Sequence, residues 1–440
     1  MQLKNWLFTG FMITILVCGA LAGSPAWGGR PAMAPASIEN MAYPLPNKPS
    51  FAVLPFNDES GEAESKYISE GFTNTLFEVL SDSSGVFVIH PLSTAKYQGK
   101  SFTVRQVAEE LGVQYVVQGS FQKTGDQLVI DVRMIDALKG TTVWSQDYDR
   151  RMSDILKIQD DIALNMIKSA GAKTDDLIVE GRSVEGTNNV DAYLKAINAF
   201  HQTLSGTPEG HRKAIELYQQ AIALDSNYLN PYIGLIHAMS DEARWGFTDQ
   251  PQEAMEKARD IAQTAIDMDP TSSPAHTAMG RALYNLREHD KAIASLEQAV
   301  ALDPDNTFAY FFLGWTKNYA GRPKEAIPAF QNMRRSNPLN PQWALLGLGG
   351  ANLMAGNYEE AIPYYQKMID GGSKFYRAYL DVAACQVSLG RQEEAQVNCK
   401  KVLEFNPKFR MQKHITRLPA KSPEAVKLYT DALKKLDLPQ

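Results

Sequence analysis

The chain has 440 residues, with 44 Lys+Arg against 50 Asp+Glu for a formal net charge of −6 at pH 7, and it is 44% hydrophobic and 21% charged. That composition is ordinary for globular protein, so it excludes a long disordered chain, a collagen and a polytopic membrane protein, and the near-balanced charge points away from nucleic acid. Three cysteines are too few for a disulfide-stapled fold or a four-thiolate zinc site.

Lys4 is the sole charge before Arg30, and Leu7–Gly23 is almost wholly apolar. Small residues follow at Ala20, Ala22, Ser24, Ala26 and Gly28. Residues 1–28 therefore read as a signal peptide cleaved between Ala22 and Gly28, or as an uncleaved membrane anchor. Cys18 follows Val17 rather than the small residue that lipid attachment needs. The expected location is the periplasm or envelope, with membrane contact only through that possible anchor. The proline-containing stretch 29–49 reads as a linker.

Residues 50–170 alternate apolar strands with one-faced helices. Ser50–Phe56 reads as a strand, and residues 65–80 place Tyr67, Ile68, Phe72, Leu76, Val79 and Leu80 at helical spacing. Val86–His90 is a second strand, and a short helix over Val104–Leu111 precedes a third. Thr124–Gln127 is a turn that returns the chain as an antiparallel partner. One more strand and a helix over Met152–Ala170 close the unit. The order predicts an α/β domain, a mixed sheet with flanking helices. The blocks Ala52–Phe56, Tyr97–Lys100, Leu111–Ser120, Thr141–Arg150 and Ile158–Ala163 resemble the TolB amino-terminal-like domain, also similar to the FlgO type. That resemblance implies no enzymatic activity and, loosely, a part in envelope assembly. Thr94–Ser101 ends like a phosphate-binding loop, but Thr94 stands where the first glycine belongs.

After a second linker at 171–189, residues 190–410 repeat. Ala258, Ala292 and Ala326 recur in one register, as do Pro270, Pro304 and Pro338, and Gly321, Gly356 and Gly390 mark turns between paired helices. The step of 34 residues and the alternation of small-residue helix, turn and second helix resemble the tetratricopeptide repeat. The fold expected is an α/β domain followed by an all-α superhelix of about six repeats. The first is distorted by the loop Ser205–Gly210, and roughly ten residues are inserted around Asp241–Gln250. Residues 411–440 read as a capping helix region over the last apolar face.

By the same resemblance, Phe308, Phe311, Trp315 and Tyr319, with Arg281, Tyr284 and Asn285 before them and Trp343 after, line a concave groove where a protein or peptide partner lies. Tight packing against neighbouring helices is the alternative that the sequence leaves open. Cys385 and Cys399 flank the turn at Gly390 at similar height, which makes a disulfide possible in an oxidising compartment; two buried thiols acting as small apolar residues are the alternative. None of the seven histidines has a second histidine at i+3 or i+4, and no GxSxG occurs, so no catalytic residue, metal or cofactor is assigned. The function expected is a non-enzymatic exported scaffold. The alternative is a regulatory sensor whose α/β domain binds a small ligand and signals through the array.

Overall fold

The computed structural model describes residues 33–61, 63–81, 85–172, 186–338 and 342–440. The predicted signal or anchor at 1–28 and most of the 171–189 linker lie outside them.

The first unit contains β1 (Ser50–Val53), β2 (Asn57–Asp58), α1 (Ala63–Ser81), β3 (Phe87–Val88), α2 (Pro91–Thr94), α3 (Val104–Leu111), β4 (Tyr115–Thr124), β5 (Gln127–Asp136), β6 (Thr141–Arg151) and α4 (Ile155–Ser169). The sheet order is β3-β1-β4-β5-β6, with β2 on β4. β1 runs parallel to both neighbours, pairing Phe51 with Val88 and Ala52 with Val116, whereas β4, β5 and β6 are antiparallel. The predicted mixed sheet is thus observed. Only Phe87 and Val88 of the predicted strand 86–90 join the ladder, because His90 already turns to cap α2 through its Nδ1, which accepts from the Leu92 N–H at 3.2 Å.

Alternation along β5 decides the layers. Leu128, Ile130, Val132 and Met134 face α1 and α4 in one core, and Ile135 joins Val116 and Leu111 in a second beneath α3. That second core needs a cover, and residues 33–49 supply part of it. Met33 and Ala36 donate their N–H groups to Gly140 and Ala137 carbonyls at 3.1 and 2.8 Å, and Ala42 donates to Glu109 at 2.8 Å. Ala36 is buried. The described part of the predicted linker is therefore a strap packed on the domain. Gly140 sits at φ +66, where a Cβ would come within 2.0 Å of the Met33 carbonyl, so only glycine permits this approach. The near-miss phosphate loop is built differently from a phosphate cradle: Thr94 is buried at the end of α2, and Tyr97 donates its hydroxyl to Glu110 at 2.6 Å.

The second unit is six helix pairs: α5 (Val190–Thr203) with α6 (Pro208–Leu224), α7 (Leu229–Trp245) with α8 (Pro251–Met268), α9 (Ser273–Asn285) with α10 (His289–Leu302), α11 (Thr307–Tyr319) with α12 (Pro323–Ser336), α13 (Gln342–Met354) with α14 (Tyr358–Asp370), and α15 (Tyr376–Ser388) with α16 (Gln392–Phe405). The repeated small residues are where the helices touch. A Cβ on Gly280, Gly314 or Gly349 would lie 2.4, 2.5 or 2.6 Å from Leu296, Phe330 or Tyr365 of the paired helix. The inserted residues do not form a loop alone. They lengthen α7 and α8 to 17 and 18 residues, against 13 and 14 in α9 and α10.

The last segment, with α17 (Met411–Thr416) and α18 (Lys427–Leu433), departs from the expected cap. α18 packs on α13 and α15, and the turn before it packs on α11. Through α18 the chain folds back across the first helices, while Asp437 beyond it comes near enough to α16 to act on Cys399. Leu433, Leu436 and Leu438 are buried there; an amphipathic helix needs an apolar surface, and the inner face offers more of it than one terminal helix does.

Candidate partner-binding groove

The first helices of successive pairs pack side by side, α9 on α11, α11 on α13 and α13 on α15, and make the inner face of the array. The predicted stripe lies on this face, but it is divided. Trp315 and Tyr319 are 5% and 2% exposed and stack at 5.7 Å, with Phe330 against the indole at 5.5 Å. Tyr284 and Arg281 are also buried. Phe308 and Trp343 stay 49% and 42% exposed, with half-buried Phe311 between them, 6.0 Å from Trp343. Asn285, half-buried, ends α9. Half of the predicted groove is therefore an open aromatic ledge, and half is covered.

Two flanks account for the cover. On one side the α/β domain docks on the array: Tyr193 and Ile197 of α5 enter its core, and Gln159 donates to the Tyr193 hydroxyl at 2.7 Å. Further along, His90 meets Phe308 edge-on at 5.3 Å, and Ser93 donates to Asn337 at 2.6 Å. Arg335 lies 4.5 Å over the Phe87 ring and donates to the Gly112 carbonyl at 3.0 Å, and Lys48 pairs with Asp305 at 2.7 Å. On the other side the C-terminal segment covers Tyr319 and the surface beyond it. Tyr429 donates to Asp381 at 2.7 Å, and Arg377 stands over the rings of Trp315 and Tyr429 while donating to the Tyr319 hydroxyl at 2.9 Å.

Three groups central to this face were not among the predicted residues: Arg377, Asp381 and Tyr429. The first two carry a legible signal, an Arg and an Asp four apart on a first helix, which places them on one face. Burial opposes the charge of Arg377, but the neighbouring Tyr319, Tyr429 and Asp381 outweigh it and keep the guanidinium firmly protonated. Arg281 differs, because burial outweighs its neighbours and lowers its pKa. It pairs with Asp241 and donates to His237 Nδ1 at 2.8 Å, with Phe312 5.2 Å beneath it.

Three histidines around the groove are kept neutral. Burial takes His90 to about 4, burial and then Arg281 take His237 to about 3, and burial and then Arg377 take His414 to about 3. An unfolded histidine titrates near 6.5, so these folded values are depressed; their contribution is full above about 6.5 and is lost as the pH falls. Three carboxyls oppose them. Burial raises Asp131 and Asp303 to about 6 and pushes Asp381 up as well, so all three bind protons in the folded chain over part of the same range. Between about pH 6.5 and 5 the histidines should make stability fall with the pH, and the carboxyls should make that fall shallow. Urea unfolding at pH 6, 5 and 4.5 checks this; stability that rises toward pH 5 contradicts it.

Of the two readings of Cys385 and Cys399, the structure has the buried thiols rather than the disulfide: both cysteines are free and buried. The Asp381 charge acts on Cys385, and that of Asp437 in the C-terminal segment acts on Cys399. Burial raises both thiols, Cys399 to about 11, so neither is a thiolate at neutral pH. Both should alkylate only after denaturation. A Cys385–Cys399 cross-linked peptide in unreduced digests would contradict this.

Residues 273–306 and 316–376 match the tetratricopeptide repeat family. The helical half is a tetratricopeptide-repeat array. Residues 47–165 match the family described as HilA/YgeH-like transcriptional regulator, second domain. This corrects the TolB- and FlgO-like assignment. Two of the blocks that suggested it, Ala52–Phe56 and Leu111–Ser120, are mostly buried residues in and beside the strands β1 and β4, whose apolar pattern any such buried sheet requires. A Rhizobium meliloti (strain 1021) protein named "Putative adenylate cyclase 3" is 31% identical over 249 residues, covering 56% of this chain and 42% of that protein. The small glutamine-rich tetratricopeptide repeat-containing protein 2 of Saccharomyces cerevisiae is 32% identical over 69 residues, 16% of this chain and 20% of its own. The chain spans less than half the length of either relative. Among solved structures, YrrB, described as a TPR protein with an unusual peptide-binding site, aligns at 18% identity and a TM-score of 0.34 over 46% of this chain and 98% of its own. Pseudomonas aeruginosa pilF aligns at 18% identity and 0.39 over 50% and 93%.

Proposed function

We propose that the chain is an exported, non-enzymatic scaffold that binds a protein or peptide partner on the inner face of its repeat array. Tetratricopeptide arrays are protein-interaction surfaces, and the observation that carries the reading here is the aromatic ledge. Phe308 and Trp343 remain 49% and 42% exposed on the inner face, beside surfaces that are otherwise covered by the two flanks. Exposed aromatic anchors of this kind dominate binding energy at interfaces. Affinity capture from envelope extract should recover a stable partner with the wild-type chain. Trp343→Ala should lose that partner, by about 2 kcal/mol or more in a titration, while its melting curve stays near wild type because the indole is half in solvent. Capture unchanged by Trp343→Ala would refute the ledge as the site. Export rests on the apolar run Leu7–Gly23; a mature amino terminus between Ala22 and Gly28 supports it, and an intact Met1 on cytoplasmic protein ends it.

A second reading is favoured by the match of residues 47–165 to a transcriptional-regulator domain and by the name of the Rhizobium meliloti relative. In it the α/β domain senses a small ligand and the docked array reports its state. Thermal stabilisation of the full chain by one member of a metabolite panel supports this reading, and a flat panel removes it.

A further inference from the structure

The covered half of the inner face is held by contacts of the kind a bound peptide makes. Between α17 and α18 the segment is irregular, a coil over residues 418–420 followed by bends and a 3-10 turn at Glu424–Val426, and its main chain is what the array reads. Arg287 donates to the carbonyls of Thr416 and Leu418, each at 3.4 Å. His289 approaches the Pro419 carbonyl at 2.7 Å, and the Lys421 N–H donates to the Tyr319 carbonyl at 2.9 Å. Two polar side-chain contacts add to the buried apolar ones. Lys421 reaches Asp290 at 2.6 Å on the surface, and Tyr429 is seated on Asp381 beneath Arg377. His289 also has a substitute acceptor. Its Nδ1 lies 2.8 Å from the Arg287 carbonyl, which belongs to the array and stays in place when the segment leaves. Release of Pro419 therefore leaves the buried imidazole still bonded.

We infer that the seat from Arg287 and His289 to Arg377 and Asp381 is a peptide-binding site filled in cis by the chain's own C-terminal segment. The partner it fits is a protein segment with an irregular, turn-forming stretch carrying a lysine, followed eight residues later by a tyrosine on a short amphipathic helix, the spacing of Lys421 and Tyr429. Main-chain contacts supply a sequence-tolerant grip, and the lysine and tyrosine supply register. The apolar residues of the segment make the cis form the resting state, so a partner must compete with it, and its apparent affinity is reduced by the small fraction of chains that are open. This rests on the reading of the array as a partner-binding scaffold.

The test uses the full chain and a fluorescent synthetic peptide of residues 411–440. Wild-type protein should bind it weakly. A Tyr429→Ala chain, whose own segment is loosened, should bind the wild-type peptide at least ten-fold more tightly, and should not bind a peptide that itself carries Tyr429→Ala. Should Tyr429→Ala lower the helical signal of the array, Lys421→Glu, a change on the exposed pair with Asp290, is read instead and should move affinity in the same direction. Equal binding by wild type and a folded variant would show that the segment is fixed core and would overturn the inference. Because the probe is the chain's own sequence, failure here leaves partner capture through the Phe308–Trp343 ledge standing, and failure of capture leaves this result standing.

Discussion

Trp315→Ala should destabilise the array by about 3–5 kcal/mol, the range for removing a large buried aromatic side chain. The indole is 5% exposed and is enclosed on several sides: Phe330 at 5.5 Å, Tyr319 stacked at 5.7 Å and the Arg377 guanidinium at 5.4 Å. Gly350 of the next repeat leaves no slack, since a Cβ there would stand 3.3 Å from the ring. Little around it can collapse into the vacated space, because the neighbours are rings fixed by helices. The loss should also free Arg377, whose guanidinium uses the indole as a platform. Denaturant unfolding gives the number. A loss below about 1 kcal/mol, with partner binding reduced, would mean that this half of the face is open in solution.

Asp381→Ala should cost a similar amount, about 3–5 kcal/mol, for an electrostatic reason. Asp381 is 1% exposed and is the carboxylate that faces Arg377, itself largely buried. Removing it leaves a guanidinium in the interior without its counter-charge, and it leaves the Tyr429 hydroxyl without an acceptor. Replacing both partners together, Arg377→Met with Asp381→Leu, should recover much of the loss, since the expensive state is the unpaired charge rather than the missing bond. Tyr429→Phe, which removes only the hydroxyl, should cost about 1 kcal/mol. If Asp381→Ala unfolds at the wild-type denaturant concentration, the pair does not hold the segment to the array.

The repeats were legible because packing imposes a strict code. Two helices this close tolerate only small residues at the crossing, so Gly280, Gly314 and Gly349 recur and betray the period. The α/β domain was legible from alternation, as Leu128 to Met134 shows. What the sequence hid shares one cause. An apolar face announces that it will be buried but not against what. Residues 33–49 carry the prolines of a linker, yet their backbone N–H groups find carbonyls at the sheet edge. The C-terminal helix has the same pattern whether it caps α16 or turns back over α13. The aromatic stripe was legible from its spacing on α11, but its accessibility depended on what the C-terminal segment covers. For Cys385 and Cys399 the spacing settled neither pairing nor separation, and both are free and buried.

The account holds that the α/β domain with its strap and the C-terminal segment both rest on the repeat array, and zero-length carbodiimide cross-linking of the unmodified protein at low concentration tests this most directly. Two ion pairs bridge the closure, Lys421 with Asp290 at 2.6 Å and Lys48 with Asp305 at 2.7 Å, and all four side chains are at least 31% exposed and reachable by reagent. Local pairs within single helices, such as Lys257 with Glu253 at 2.7 Å, serve as controls for reactivity. Peptide mapping should find both long-range amide links, within one chain, in yields comparable to the local ones. Efficient local links with neither long-range link would show that the flanks do not rest on the array, and would contradict the account.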